Sequence, residues 1–237
     1  KDKNGNSFCC YCMRRLFLND TEDKHKKNIT YEHIVPHKIK YNEWQSDKAH
    51  YLKFSNLNKK HIAVCFEGKL TNAQKKVKIT GMPYPHFVSY HNLVASCNGA
   101  TFEDKTLVNS HCCNNNRQER FVMPIYLSPD LVNGISYTSK GELDYDDSVY
   151  DCSWFDKKHL NLTNSWITLV RRIWCKISKS GYTDIDVEMA RNDKNLRQNI
   201  IDDVDSNNEI SSWADNDIAW NLFSEYNWFY NYYKSRP

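Results

Sequence analysis

Cysteine placement constrains this chain more than any other feature. Cys9, Cys10 and Cys12 crowd one end of the sequence, and Cys97, Cys112 and Cys113 form a second group about a hundred residues later. Cys9 and Cys12 are spaced C-x-x-C, a short loop that lets two thiolates turn toward one ion. A tetrahedral structural zinc site needs two more thiolates, which Cys97 and either Cys112 or Cys113 can supply. Nine cysteines is an odd number, and the opening KDKNGNSFCC lacks the apolar stretch of a secretory signal. A disulfide framework is therefore not expected, and metal binding is. Cys65, Cys152 and Cys175 stand alone in apolar or aromatic surroundings and read as small buried hydrophobes.

With 237 residues the chain can bury a sizeable core, as one domain or a domain with a substantial extension. It contains no apolar run long enough to cross a bilayer, so a cytoplasmic protein with no membrane partner is the expectation. The net charge of +3 announces no polyanion by itself. Its distribution is more telling: Lys24, Lys26, Lys27, Lys38, Lys40, Lys59, Lys60, Lys69, Lys75, Lys76 and Lys78 lie in the first third, while acidic residues gather after position 140. A basic first half is compatible with phosphate binding, and equally with a solvated face.

Residues 30–38 read TYEHIVPHK, with Pro36 ending or redirecting the strand that carries them. A carboxylate beside an imidazole suits a hydrolytic metal site: Glu32 can hold a cation, and His33 can take a proton from an attacking water. Further along come YHNLVASC at 90–97 and HCCNNNRQER at 111–120.

Taken together, Cys9, Cys12, Glu32, His33, Pro36, Asn92, Leu93, Cys97, Cys113, Asn114 and Arg117 follow the order of a known pattern. The chain resembles the HNH (ββα-metal) endonucleases with a zinc-ribbon frame. Its later part, from FVMPIYLSPD through HLNLTNSWITLVRRI, looks like the continuation in the nuclease component of Septu-type and retron-associated anti-phage systems, whose partner is an ATPase. The resemblance implies DNA phosphodiester hydrolysis, with His33 as general base. Glu32 and Asn114 would hold a catalytic magnesium or manganese ion, and Asn92 would fix the loop that carries His33. Arg117 or Arg120 would meet a phosphate. It favours Cys113 over Cys112 as the fourth zinc ligand, with Cys112 spare. The stretch between Cys97 and Cys113 departs from the short knuckle of many relatives and reads as an inserted loop, which leaves Cys112, and also His111, in competition for the metal. His37 and His91 match no required position.

The expected fold is α+β: a small ββα core stapled by a four-cysteine zinc site at residues 1–125, and a mainly helical extension at 126–237 packing on the core or on a partner. The TYEHIVP strand should pair with one near FVSYHNLVAS, and a helix should start near Asn114. Residues 42–86, with Tyr51, Phe54 and lysines interleaved, either approach DNA or decorate the core. Leu162, Trp166, Leu169, Val170 and Ile173 predict a helix capped by a preceding Thr or Asn. DIDVEMARNDKNLRQNIIDDV reads as a second helix. The terminal ISSWADNDIAWNLFSEYNWFYNYYKSRP reads as a last one, apolar on several sides, covered by the core or by another subunit. The alternative to an enzyme is a zinc-stabilised nucleic-acid-binding or assembly module with no chemistry.

Overall fold

The computed structural model describes residues 6–19, 26–34, 93–103, 106–108, 111–117, 133–146 and 152–236. These form a mixed α+β structure whose strands pair two by two. Strand β1 (Ser7–Phe8) pairs with β2 (Arg15–Leu16), β3 (Ile29–His33) with β4 (Leu93–Cys97), β5 (Thr101–Glu103) with β6 (Thr106–Val108), and β7 (Ile135–Tyr137) with β8 (Leu143–Tyr145). Every pair is antiparallel. Helix α1 (Cys113–Arg117) follows β6. The remaining helices are α2 (Ser165–Lys179), α3 (Asp184–Met189), α4 (Lys194–Val204), α5 (Asp217–Ser224) and α6 (Trp228–Lys234).

The strand expected over TYEHIVP pairs with the one expected near NLVAS, with Ile29 opposite Cys97, Glu32 opposite Val94 and His33 opposite Leu93. Side chains alternate across a strand. Tyr31 is accordingly 65% exposed and Glu32 only 2%. The segment between Cys97 and Cys113 contains the β5–β6 hairpin. Gly99 closes that segment on itself: its carbonyl accepts hydrogen bonds from the backbone amides of His111 and Cys112, both at 3.3 Å. Its φ of +73° favours glycine, and a side chain there would run into the Cys112 carbonyl.

Helix α2 begins where expected, with Asn164 accepting from the Ile167 amide at 2.9 Å. Leu162 precedes it and is buried from the loop. The second predicted helix is in fact two. Thr183 and Asp186 form a capping box that starts α3, and Asp193 accepts from the amides of Asn195 and Leu196 to start α4. The terminal segment is broken as well, because Asn216 caps α5 and the chain turns at Tyr226 and Asn227 before α6. These turns let one sequence bury aromatics in several directions.

One hydrophobic cluster runs from the cysteines to the last helix. Trp174 stacks on Phe223 with ring centroids 4.9 Å apart, and Tyr137 meets Phe229 edge-on at 5.0 Å. Trp213, Trp220, Tyr226 and Phe229 are all buried within this chain, while Ile218 of the same tail is 54% exposed. Cys175 is buried as expected, whereas Cys65 and the Cys152 side chain lie outside the described residues. The expected domain boundary near 125 also falls outside them, as do residues 42–86.

Candidate metal centre

Two local bends and one hairpin bring the sulfurs together. The Cys9 amide donates to the Arg14 carbonyl at 2.8 Å and Met13 donates back to Cys9 at 3.2 Å, with Met13 at φ 62°, so the chain doubles back just past Cys12. The Cys10 amide donates to Ala95 at 3.2 Å, which docks this knuckle on β4. Cys97 ends β4, and the Gly99 amide points at its sulfur at 3.4 Å. Cys113 adopts φ 55° at the head of α1, and its amide donates to the Leu160 carbonyl at 2.9 Å.

The sulfurs of Cys9, Cys12, Cys97 and Cys113 all lie within 4.8 Å of one another. Two opposite edges of this group, Cys9 to Cys113 and Cys12 to Cys97, measure 3.8 and 3.7 Å. A zinc ion about 2.3 Å from four tetrahedral thiolates sets its sulfurs about 3.8 Å apart. The four side chains are fully buried. A closed all-thiolate set with this spacing fits an ion that holds structure and has no coordination position open to substrate. The cluster could therefore hold a metal ion such as zinc. Ser96 Oγ lies 3.6 Å from the Cys9 sulfur and ties that ligand to β4.

His111 does not join the sulfurs; its Nδ1 faces Glu103 Oε1 at 2.9 Å. Cys112 is as buried as the four and interacts with Cys12, Cys97 and Cys113, without belonging to the mutually close set. Burial pushes the Cys12 and Cys113 thiols up. Cys9 goes the other way: burial opposes its thiolate, but its side-chain hydrogen bonds with Cys10, Cys113, Cys12 and Cys97 hold its pKa well below the usual thiol range. A bound divalent cation would deprotonate all four ligands.

Beside the sulfurs, β3 delivers Glu32. Its Oε1 accepts from Thr30 Oγ1 at 3.3 Å, and its Oε2 is 3.3 Å from Arg117 Nη2, an ion pair without hydrogen-bond geometry. Oε2 is thus a buried acceptor with no hydrogen bond among the described residues. Burial pushes the Glu32 carboxyl up to about 7, against the pull of Arg117 and Thr30. Arg117 also donates to the carbonyls of His33, at 2.6 Å, and Ile34, at 3.2 Å. Its guanidinium is buried from solvent and bonded through Nη1 and Nη2 to the end of β3. Asn114 shares a helical face with Arg117, three residues on; its half-buried amide has no hydrogen bond among the described residues. His33 is half-buried at the strand end. Asn92 and Arg120 lie outside the described residues.

Sequence reasoning missed the polar groups that brace this region. Arg14 Nε donates to Glu225 Oε2 at 2.6 Å, and Asn28 Nδ2 donates to the same oxygen at 3.1 Å, locking the first knuckle to the helical end. An arginine beside a C-x-x-C loop and a glutamate two hundred residues on carry no pairing signal in sequence. Comparison of the chain with known protein families, curated proteins and solved structures finds no match. Among the described residues no helix is long and apolar enough to cross a membrane.

Proposed function

We propose that this protein is a metal-dependent endonuclease of the HNH type that hydrolyses DNA phosphodiester bonds, with zinc in the cysteine cluster as its staple. The observation that carries the reading is the reach of Arg117. From the helix that begins with Cys113 and Asn114, it contacts both the Glu32 carboxylate and the His33 carbonyl. Acid, imidazole-bearing strand end and asparagine-bearing helix thereby belong to one small unit beside the thiols.

Each group has a task its chemistry suits. His33 takes a proton from the attacking water. Arg117 fixes the strand end that carries it. The orphaned Oε2 of Glu32 and the amide oxygen of Asn114 are hard oxygen donors of the kind magnesium prefers. They would hold an ion that neutralises the charge developing on the phosphate. An ATPase partner within an anti-phage complex rests on the sequence resemblance.

One observation favours the second reading, a zinc-stabilised nucleic-acid-binding or assembly module. Glu32 is almost fully buried and already paired with arginine, as a purely structural carboxylate would be.

Plasmid nicking with magnesium or manganese separates the two. The wild type should cut, and His33→Ala should cut about 10²- to 10⁴-fold more slowly, with unchanged zinc content and circular dichroism. Equal cutting by both proteins would remove His33 as the base. A wild type that binds DNA in gel shifts but cuts nothing, even coexpressed with its ATPase, would leave the module.

A further inference from the structure

The sulfur group has a fifth member that a four-ligand site leaves idle. Cys112 is completely buried. A buried free thiol is ordinarily a small hydrophobe, but this one faces sulfur. It makes side-chain hydrogen bonds with Cys12, Cys97 and Cys113, three of the four mutually close residues. The backbone puts it there. The Gly99 carbonyl accepts from the Cys112 amide at 3.3 Å while the Gly99 amide points at the Cys97 sulfur at 3.4 Å, so one residue holds both cysteines. An extended chain would send the side chains of Cys112 and Cys113 to opposite faces. With Cys113 at φ 55° the chain bends there, and both thiols are buried in the same cluster.

Cys9 interacts with the same three sulfurs. Cys12, Cys97 and Cys113 thus form a triad common to two sets of four, one completed by Cys9 and the other by Cys112. Cys112 stands outside the mutually close set, so it meets the triad at a different place from Cys9. Cys10 cannot play the same part, because its thiol bonds to Cys9 itself, the ligand it would have to replace.

We propose that Cys112 is a reserve ligand, which completes the triad when Cys9 leaves the metal, so that a cation held by the cluster keeps four thiolates. On binding, Cys112 gives up its S–H proton, and on leaving Cys9 takes one up, so the charge of the ligand set is unchanged. Cys9 alone has such a substitute, since losing Cys12, Cys97 or Cys113 breaks both sets at once. This assignment rests on the metal reading of the sulfurs and not on the nuclease chemistry.

Cobalt(II) takes the place of zinc in tetrahedral thiolate sites, and its thiolate-to-metal absorption grows with the number of thiolates bound. Titrating the full chain with cobalt, then competing with zinc, reads ligand number and affinity together. The wild type and Cys112→Ser should both show four thiolates. Cys9→Ser should also show four, as should Cys9→Ala, which brings no oxygen donor. Cys9→Ser/Cys112→Ser and Cys97→Ser should show three and bind roughly a hundredfold or more weakly, since four thiolates share the binding free energy of a structural zinc. Cys9 variants that show three thiolates, or that fail to fold with metal present, would overturn the proposal, because Cys112 would then not be filling the vacated place. So would a double variant that binds as well as Cys9→Ser. A wild type that takes up no cobalt would overturn the metal centre itself, an outcome distinct from loss confined to the Cys9 variants.

Discussion

The cysteine end and the helical end of this molecule are both buried, but they bury different things. Around β3, β4 and α1 the inaccessible groups are Cys9, Cys12, Cys97, Cys112, Cys113, Ser96, Glu32 and Arg117, held on strands of two to five residues. Around α2, α5 and α6 they are mostly aromatic, Trp174, Trp220, Phe223 and Phe229, with Arg171 a buried charge among them, and side-chain caps start α2 and α5. Aromatic burial holds a helix bundle without help. Thiolates and an ion pair removed from water do not repay their own desolvation unless a further charge meets them. A cation held by Cys9, Cys12, Cys97 and Cys113 would supply that charge at the cysteine end, and the helical end calls for none.

Removing a metal held by the four sulfurs should have the largest effect. Structural zinc contributes about 10–16 kcal/mol in small zinc domains. Chelation, or Cys97→Ser, should release the amides of β3 and β4 to rapid hydrogen exchange while α2 and α6 stay protected. Equal loss at both ends would erase the distinction drawn between them. Trp220→Ala is the converse lesion, expected to cost about 3–5 kcal/mol in thermal or urea melts while bound zinc, by elemental analysis, is retained.

A smaller effect is expected from Glu32. Burial raises its carboxyl from 4.5 to about 7. Between those values the folded protein keeps a proton that the unfolded chain has released, so this group's contribution to stability falls as pH rises through the interval and is flat above it. Glu32→Gln should abolish that slope, a difference on the order of 3 kcal/mol across the window, measured with zinc in excess. A variant with the wild-type slope would show that the carboxylate is ionised throughout. The smallest effect belongs to a helix cap far from the sulfurs: Thr183→Ala removes one side of the α3 capping box and should cost about 1 kcal/mol, with zinc binding unchanged.

How much of this was legible beforehand differs residue by residue. The C-x-x-C spacing and the TYEH and NLVAS runs announce a knuckle and two strands, because turn geometry and alternation are local properties. Asn164 likewise announces the start of α2. Asp193 and Asn216 could equally have been taken as caps, yet the predicted helices ran through them, giving fewer, longer helices. The arginines were not legible at all. Arg171 is fully buried, with its guanidinium over Tyr137 at 4.7 Å and donating to the Leu162 carbonyl at 3.0 Å. Arg197 is fully buried too, donating to the carbonyls of Ala190, Ala214 and Arg191. In sequence such residues look like solvent-facing charge.

By itself, the sequence determined which residues carry sulfur, carboxylate and imidazole, the local bend that turns Cys9 toward Cys12, and the alternation that sets Glu32 on the opposite face of its strand from Tyr31 and His33. Only the tertiary structure decided that Cys113 completes the sulfur group, that Arg117 faces Glu32 instead of solvent, and that Glu225 closes over Arg14. The reason is physical. A turn or a strand is set by neighbours along the chain, whereas the partner of a buried charge is set by whatever the packing of distant elements brings within reach.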